Sequence, residues 1–336
     1  MQEKIKISVP ETVLTTLKSD CADFSIVKAN GGINFNAFIN ALTVNYYETF
    51  SASDISAYEK LNAALLIIPE KYREKAIDDV FKILSKSHAV SAQKEKTVTF
   101  SFKPTKSSEK AVVFIENALT KSESLSSFYR RMFSDYVSKL KTEREKIIFK
   151  ENYDLITESV KKSVKVLIDT KNGSIKSTSV YKIAAAKDEL FNYVLSTDGF
   201  KLYTIRLANV KTVSLMKDKA EISDEDKNIF DRQIRSGAQY QIFRGENELV
   251  KVKMSDKGKF LFKKIYLYRP VPIKTEGNYY YFDCSVNQAT HYFKRFGKDG
   301  IIVAPKSAAD IMRDFYAAAA RRCADVLSNE NNKLKK

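Results

Sequence analysis

The chain has 336 residues, 57 Lys and Arg against 41 Asp and Glu, and a formal charge of +16. Its 10 glycines, 6 prolines and 44% hydrophobic content exclude a collagen-like or wholly disordered polymer, and the length predicts two to three domains, each able to bury a core. No run of about 18 apolar residues and no basic-then-apolar amino end occurs, so neither a membrane span nor export is expected, and the protein is expected to be cytoplasmic. Cys21, Cys284 and Cys323 are too far apart for a local metal site and suit free thiols in a reducing compartment. His88 and His291 leave little for imidazole catalysis or zinc, so no metal and no cofactor are expected.

The positive excess is uneven. Residues 1–50 carry 4 basic and 5 acidic side chains and residues 51–95 carry 7 of each, whereas residues 236–336 carry 19 basic and 10 acidic ones. A localised basic surface is the footprint expected of a polyanion-binding protein, with phosphate backbone the commonest partner.

From the amino end, a strand–helix–helix unit occurs twice. Ile5, Ile7 and Val9 alternate with Lys4, Lys6 and Ser8; Val98, Phe100 and Phe102 alternate with Thr97, Thr99, Ser101 and Lys103. Pro10 and Pro104 close the two strands. A first helix follows with Leu14, Leu17 and Cys21 in one copy and Val112, Ile115 and Leu119 in the other. A second helix carries Phe35, Phe38, Leu42 and Tyr46, or Leu125, Phe128, Met132 and Tyr136, with Asn34 and Ser124 as N-caps. This order, with polar side chains outward on the strand, resembles the ribbon-helix-helix family. The resemblance implies an antiparallel ribbon completed within one chain, with Lys4, Lys6, Ser8, Thr97, Thr99, Ser101 and Lys103 facing nucleic acid and Arg130 and Arg131 near phosphate. The same alternation would also mark the solvent face of an ordinary sheet.

Residues 53–87 between the copies predict two spacer helices broken at Pro69, with apolar faces at Leu61, Leu65 and Ile68 and at Ile77, Val80, Phe81 and Leu84. Residues 141–164 predict one further charged helix.

From about residue 163 five short strands follow, at 164–168, 177–185, 190–196, 201–207 and 210–215, with turns at Lys171-Asn-Gly173 and Asp198-Gly199. They imply a small barrel. Asn192-Tyr193-Val194 and Arg206-Leu-Ala-Asn-Val210 resemble the two marker segments of the WYL-domain family, with asparagine in place of the family's Trp at 192 and of its second Arg at 209. The resemblance implies an Sm-like barrel; Tyr181, Lys182, Tyr193, Arg206 and Asn209 are its candidate nucleic-acid or ligand residues, Tyr193 alternatively a half-buried barrel aromatic. After Ser223, a capped helix to about Arg235 leads to a βαββαβα order. Tyr292-Phe-Lys-Arg-Phe-Gly297 and Ile301-Ile-Val-Ala-Pro305, followed by a helix from Lys306 to Leu327, resemble the extension that follows many WYL domains.

The expected fold class is therefore α+β. A tandem ribbon-helix-helix-like region spans 1–145, with repeats at 4–50 and 97–140 and a helical spacer at 53–87. A WYL Sm-like β-barrel spans 146–222, a ferredoxin-like carboxyl-terminal extension spans 223–328, and a disordered tail spans 329–336. The sequence contains no GxxxxGK[ST], GxSxG, HExxH or CxxC, so no enzyme is expected.

The combination resembles the WYL accessory proteins of type VI-D CRISPR systems. That implies a non-enzymatic regulator which binds single-stranded RNA and modulates a CRISPR effector ribonuclease; the alternative is a DNA-binding transcription regulator with a ligand-sensing WYL domain, its partner duplex DNA. Ala317 to Ala320 and the Tyr279–Phe282 strand favour a homodimer. Charge places binding in the barrel and tail, because Lys4 and Lys6 stand among Glu3, Glu11, Asp20 and Asp23.

Overall fold

The computed structural model describes residues 4–69, 72, 73, 75–77, 79, 80, 96–118, 124–186 and 190–334. It divides into two units, Met1–Glu151 and Asn152–Lys336. Among the described residues no helix is long and apolar enough to cross a membrane.

The first unit runs β1 (Ile5–Pro10), α1 (Glu11–Asp23), α2 (Phe35–Ala64), β2 (Thr97–Phe102), α3 (Lys106–Ala118), α4 (Leu125–Ser138) and α5 (Lys141–Ile148). Pro10 ends β1 and starts α1, where a missing N–H is tolerated because no intrahelical partner exists for it. Asn34 caps α2 by accepting from the Ala37 N–H, and Ser124 caps α4 by accepting from the Ser127 N–H. Strands β1 and β2 pair antiparallel within the chain, Ile5 opposite Phe102 through Pro10 opposite Thr97. Period-two alternation then buries Ile7, Val9 and Phe102, the last with its ring 5.5 Å from that of Tyr129, and Phe38, Leu42, Phe128, Met132 and Tyr136 of the second helices are buried as well.

Two expectations need correction here. Residues 53–64 do not begin a separate spacer helix. They continue α2, because no glycine or proline interrupts the chain between Phe35 and Ile68. Residues 141–164 form two helices, α5 and α6 (Lys150–Lys162), broken at Phe149, whose ring lies edge-to-face against Phe24 at 6.1 Å. Phe81, Leu84 and Leu119 lie outside the described residues.

A buried polar knot ties α1 to α5. Asp20, 1% exposed, accepts from Arg144 Nε at 2.7 Å and Nη2 at 3.0 Å and from the Tyr136 hydroxyl at 3.0 Å. Burial, then the adjacent Asp20 carboxylate, pushes the Tyr136 hydroxyl well above its ordinary range.

The second unit opens with a five-stranded antiparallel sheet of β3 (Val164–Thr170), β4 (Gly173–Ala185), β5 (Asn192–Thr197), β6 (Leu202–Arg206) and β7 (Val210–Lys219), ordered β6-β5-β4-β3-β7. Strands β6 and β7 occupy opposite edges, yet a single 3-10 turn, Leu207–Asn209, joins them. A flat sheet would separate its edges by roughly 19 Å at about 4.8 Å per strand. A 3-10 turn rising about 2 Å per residue cannot span that, so the sheet is curled.

Next come α7 (Asp224–Ser236), β8 (Val250–Met254), α8 (Asp256–Lys264), β9 (Pro272–Glu276), β10 (Tyr279–Phe282), α9 (Val286–Phe293), a 3-10 segment (Lys294–Asp299), β11 (Gly300–Ala304) and α10 (Lys306–Leu334). Helix α10 thus extends beyond the expected end at Leu327. The second sheet is antiparallel, ordered β11-β8-β10-β9. One face carries Val250, Val252, Met254, Phe282 and Ile302, packed with Phe262 of α8, Tyr292 and Phe293 of α9 and Met312 of α10.

Arg244 links this region to the curled sheet. Its Nε and Nη2 donate to the two Asp226 carboxylate oxygens at 2.8 and 2.7 Å, and its Nη groups donate to the Phe200 and Gly199 carbonyls. Hydrogen bonding from Arg244 holds the Asp226 carboxyl below its ordinary range. A lowered carboxyl pKa lends stability that is complete above the unfolded value of about 3.9 and is lost as pH falls through the folded value. Asp226→Asn is therefore expected to cost about 1.5–3 kcal/mol at neutral pH. Urea titrations at neutral and acid pH should show the gap between variant and parent closing in acid; a gap of constant size would refute this assignment.

Candidate nucleic-acid interface

The ribbon is assembled by an exchange between the two copies. Asn36, in the first turn of α2, is paired in both directions with the Lys103 backbone: its Oδ1 accepts from the Lys103 N–H at 2.8 Å and its Nδ2 donates to the Lys103 carbonyl at 3.2 Å. Asn40 Nδ2 also donates to that carbonyl, at 3.1 Å. In the other copy Ser126 Oγ accepts from the Ser8 N–H at 3.3 Å, and Arg130 Nε donates to the Ser8 carbonyl at 2.7 Å. Each second helix grips the strand of the opposite copy. Ser126 and Arg130 occupy the same helical positions as Asn36 and Asn40 when the two stripes are aligned, so the grip is a property of the repeat. The repeat pattern contains those positions, but only the pairing of the strands assigns them a task.

On the outer face Lys4, Lys6, Thr97, Thr99, Ser101 and Lys103 are exposed, and Ser8 is half-buried, its Oγ 2.8 Å from Thr99 Oγ1 across the ribbon. Arg130 belongs to this edge through Ser8. Arg131 does not join it: its guanidinium lies over the Phe50 ring at 5.7 Å, because adjacent helical residues point about 100° apart. The amino ends of α2 and α4 stand beside the ribbon, and their oriented N–H groups favour anions.

Two of the acids counted against this face are engaged elsewhere. Asp20 is held by Arg144, and Asp23 accepts from Lys141 Nζ at 2.5 Å.

In the curled sheet the candidates separate. Tyr181 donates to Asp231 at 2.8 Å and stacks on Phe230 at 5.4 Å between centroids, so α7 engages one of its faces. Hydrogen bonding to that carboxylate, then burial, raises the Tyr181 hydroxyl's pKa. Tyr193 also packs against the α7 cluster, opposite Arg206 on the neighbouring strand. Lys182, the next residue after Tyr181, is exposed.

Arg206 and Asn209 are brought together with residues the sequence did not single out. The Arg206 guanidinium lies 3.4 Å from the Phe191 ring centroid. The Asn209 carbonyl accepts from the Lys171 N–H at 3.1 Å. Burial, then the charges of Arg206 and Lys211, lower the Lys171 amine's pKa. Three cations from the β3–β4 turn, the end of β6 and the start of β7 thus converge at one end of the sheet. The nearby Asp169 carboxylate accepts from Ser174 and Thr212. No spacing in the sequence marks this cluster, since its members lie on three different strands' ends.

Burial raises the Cys21 thiol to about 11 and the Cys284 thiol to about 12, which makes neither a nucleophile at neutral pH. Among the described residues no group of three His, Cys, Asp or Glu side chains is placed to hold a metal.

No family model matches the sequence, and no curated protein matches it. Among solved structures, a CRISPR Cas-related protein superposes with a TM-score of 0.66 at 18% identity, over 97% of this chain and 95% of its own, so the two share a fold. Proteasome accessory factor B/C (PafBC) of Arthrobacter aurescens covers 68% of this chain and 37% of its own at 12% identity, with a TM-score of 0.26, too low to argue a common fold.

Proposed function

We propose that this protein is a non-enzymatic nucleic-acid-binding accessory factor that takes single-stranded RNA and modulates a CRISPR RNA-guided ribonuclease. The observation that carries it is the convergence of Lys171, Arg206 and Lys211 beside the Arg206–Phe191 stack. A phosphate bound there would offset the repulsion among the three cations, and an arginine plane beside an aromatic suits an unpaired base. The fold shared with a CRISPR Cas-related protein supports the setting.

Within this proposal the curled sheet is a WYL barrel of Sm-like type, the strand order β11-β8-β10-β9 that of a ferredoxin-like domain, and the two βαα copies a tandem ribbon-helix-helix unit. The protein is proposed to act in the cytoplasm, as a homodimer.

A second reading has its own support. The intrachain ribbon, with Lys4, Lys6 and Lys103 outward and a helix amino end beside each strand, suits a duplex major groove and a transcription regulator.

Fluorescence anisotropy with labelled single-stranded RNA and duplex DNA of equal length, at about 50 and 200 mM salt, separates the two. Tighter binding of the RNA, weakened about tenfold by Arg206→Ala and little by K4A/K6A, is the expected result. Preference for duplex DNA, abolished by K4A/K6A and untouched by Arg206→Ala, would make the regulator the better account.

A further inference from the structure

The second sheet of the carboxyl-terminal region has one face whose described side chains are exposed or half-buried. Its inner face is covered over β8, β10 and β11 by α8, α9 and α10, whereas Lys253, Lys274, Glu276, Ile301 and Val303 on the other face are exposed. The register arranges that outer face in two rows. Ile301 stands opposite Lys253, Lys253 opposite Tyr279, and Tyr279 opposite Glu276. In the next row Lys251 stands opposite Tyr281, and Tyr281 opposite Lys274. The two tyrosines therefore sit on a central strand, two residues and about 6.8 Å apart, on one side of the sheet.

Lysines lie over both rings. Lys251 Nζ is 4.4 Å from the Tyr279 centroid and 5.4 Å from that of Tyr281; Lys253 Nζ is 5.9 Å from Tyr279, and Lys274 Nζ is 5.6 Å from Tyr281. Among the described residues of these strands one acid, Glu276, interrupts this outer face, and it is engaged: Lys274 Nζ is 2.5 Å from its Oε1 and the Tyr281 hydroxyl donates to its Oε2 at 2.7 Å. The Tyr281 ring is thereby oriented by its own hydroxyl.

We infer that this face is a second nucleic-acid surface, on which Tyr279 and Tyr281 each stack one unpaired base of a single-stranded RNA while Lys251 and Lys253 contact its phosphates. It rests on single-stranded RNA being the ligand of the protein. The chemistry is complementary on both counts. A four-stranded sheet with aromatic rings on a central strand presents flat π-faces to splayed bases, and every base has such a face, so recognition tolerates sequence. The ammonium groups now over the rings sit on four-carbon stems, long enough to leave the ring for a phosphate when a base takes its place. An ordinary protein-docking face would be expected to lack this density of lysine, which is depleted at interface cores.

The test uses the full chain and labelled single-stranded RNA, single-stranded DNA and duplex DNA of equal length. Y279A/Y281A is expected to weaken single-stranded RNA binding about 5- to 150-fold for each ring that stacks, while Y279F, which keeps the π-face and leaves the Tyr281–Glu276 bond in place, stays within about twofold of the parent. K251Q/K253Q removes two phosphate contacts and should flatten the plot of log affinity against log salt by about 1.4, at about 0.7 per contact for a single strand. Circular dichroism and the urea midpoint check that each variant folds. If the parent binds single-stranded RNA and Y279A/Y281A binds equally well, this inference is overturned and the function stands. Equal loss of single-stranded DNA binding supports it, since stacking does not need the 2′-hydroxyl. If the parent prefers duplex DNA, the functional proposal fails with it. Unchanged RNA binding with a dimer-to-monomer change by light scattering would identify the face as a contact between copies instead.

Discussion

Asp20→Ala should destabilise the amino-terminal unit by about 3–5 kcal/mol, the range for breaking a buried ion pair by deleting one partner. Asp20 is buried and receives three hydrogen bonds, two from the Arg144 fork and one from Tyr136. Its removal leaves a guanidinium only 13% exposed and a phenol hydroxyl facing a gap that alanine cannot fill. Arg144 keeps its bond to the Lys139 carbonyl at 2.7 Å, which limits the loss and argues for the lower end of the range. Replacing the pair together, as D20L/R144M, removes both charges and should recover much of the stability, because the large cost belongs to the uncompensated partner. Equilibrium denaturation of the full chain reads both results. A single-variant loss under about 1 kcal/mol would show that water reaches Arg144 and the pair is effectively a surface one.

Gly258→Ala is the second large effect, and here two terms oppose each other. Within α8, alanine is favoured over glycine by about 1 kcal/mol of helix propensity. A Cβ at 258, however, would stand 1.9 Å from the Asp299 carbonyl oxygen, 2.9 Å from its carbon and 3.3 Å from Met254 Cβ. The obstacle is backbone and cannot rotate away. That same carbonyl accepts from the Ser255 N–H, and Ser255 Oγ donates to the Asp299 carboxylate at 2.7 Å, so moving the 299 segment also loosens the start of α8. Overpacking of this kind costs about 1–3 kcal/mol and sometimes more. With bonds lost as well, we expect a net destabilisation of about 2 kcal/mol. The urea midpoint of the variant checks it; a variant more stable than the parent would mean the 294–299 turn yields freely. Because Tyr279 and Lys253 belong to the sheet that α8 covers, this variant should also weaken the proposed nucleic-acid binding as temperature rises, in step with loss of fold.

Much of the local structure was legible in residue order, because it depends on near neighbours. The alternation in Ile5–Val9 and Val98–Phe102, the caps at Asn34 and Ser124, and the turns at Gly173 and Gly199 each involve groups within a few residues, and all appear where expected. Two element boundaries depart from the local pattern for the same reason in reverse. Nothing local stops α2 at residue 53, and nothing local breaks the helix at Phe149, whose turn goes with a ring contact to distant Phe24.

The candidate sites show the division more sharply. Composition, charge and the doubled βαα pattern already implied a polyanion-binding surface and an outward polar row from Lys4 to Lys103, since side-chain period and charge are properties of the order of residues. Which charges remain effective was decided only in three dimensions. Counting Asp20 and Asp23 against Lys4 and Lys6 follows from adjacency in the chain, but folding hands both acids to Arg144 and Lys141 of α5. Likewise Lys171, Arg206 and Lys211 meet because the sheet curls, and Lys251 meets Tyr279 and Tyr281 because β8 and β10 are neighbours in an order that skips β9. Electrostatic and stacking energies fall off with distance in space, while sequence records only distance along the chain, so the pattern could name the kinds of residues a binding surface needs and only the packed sheets could choose which of them stand together.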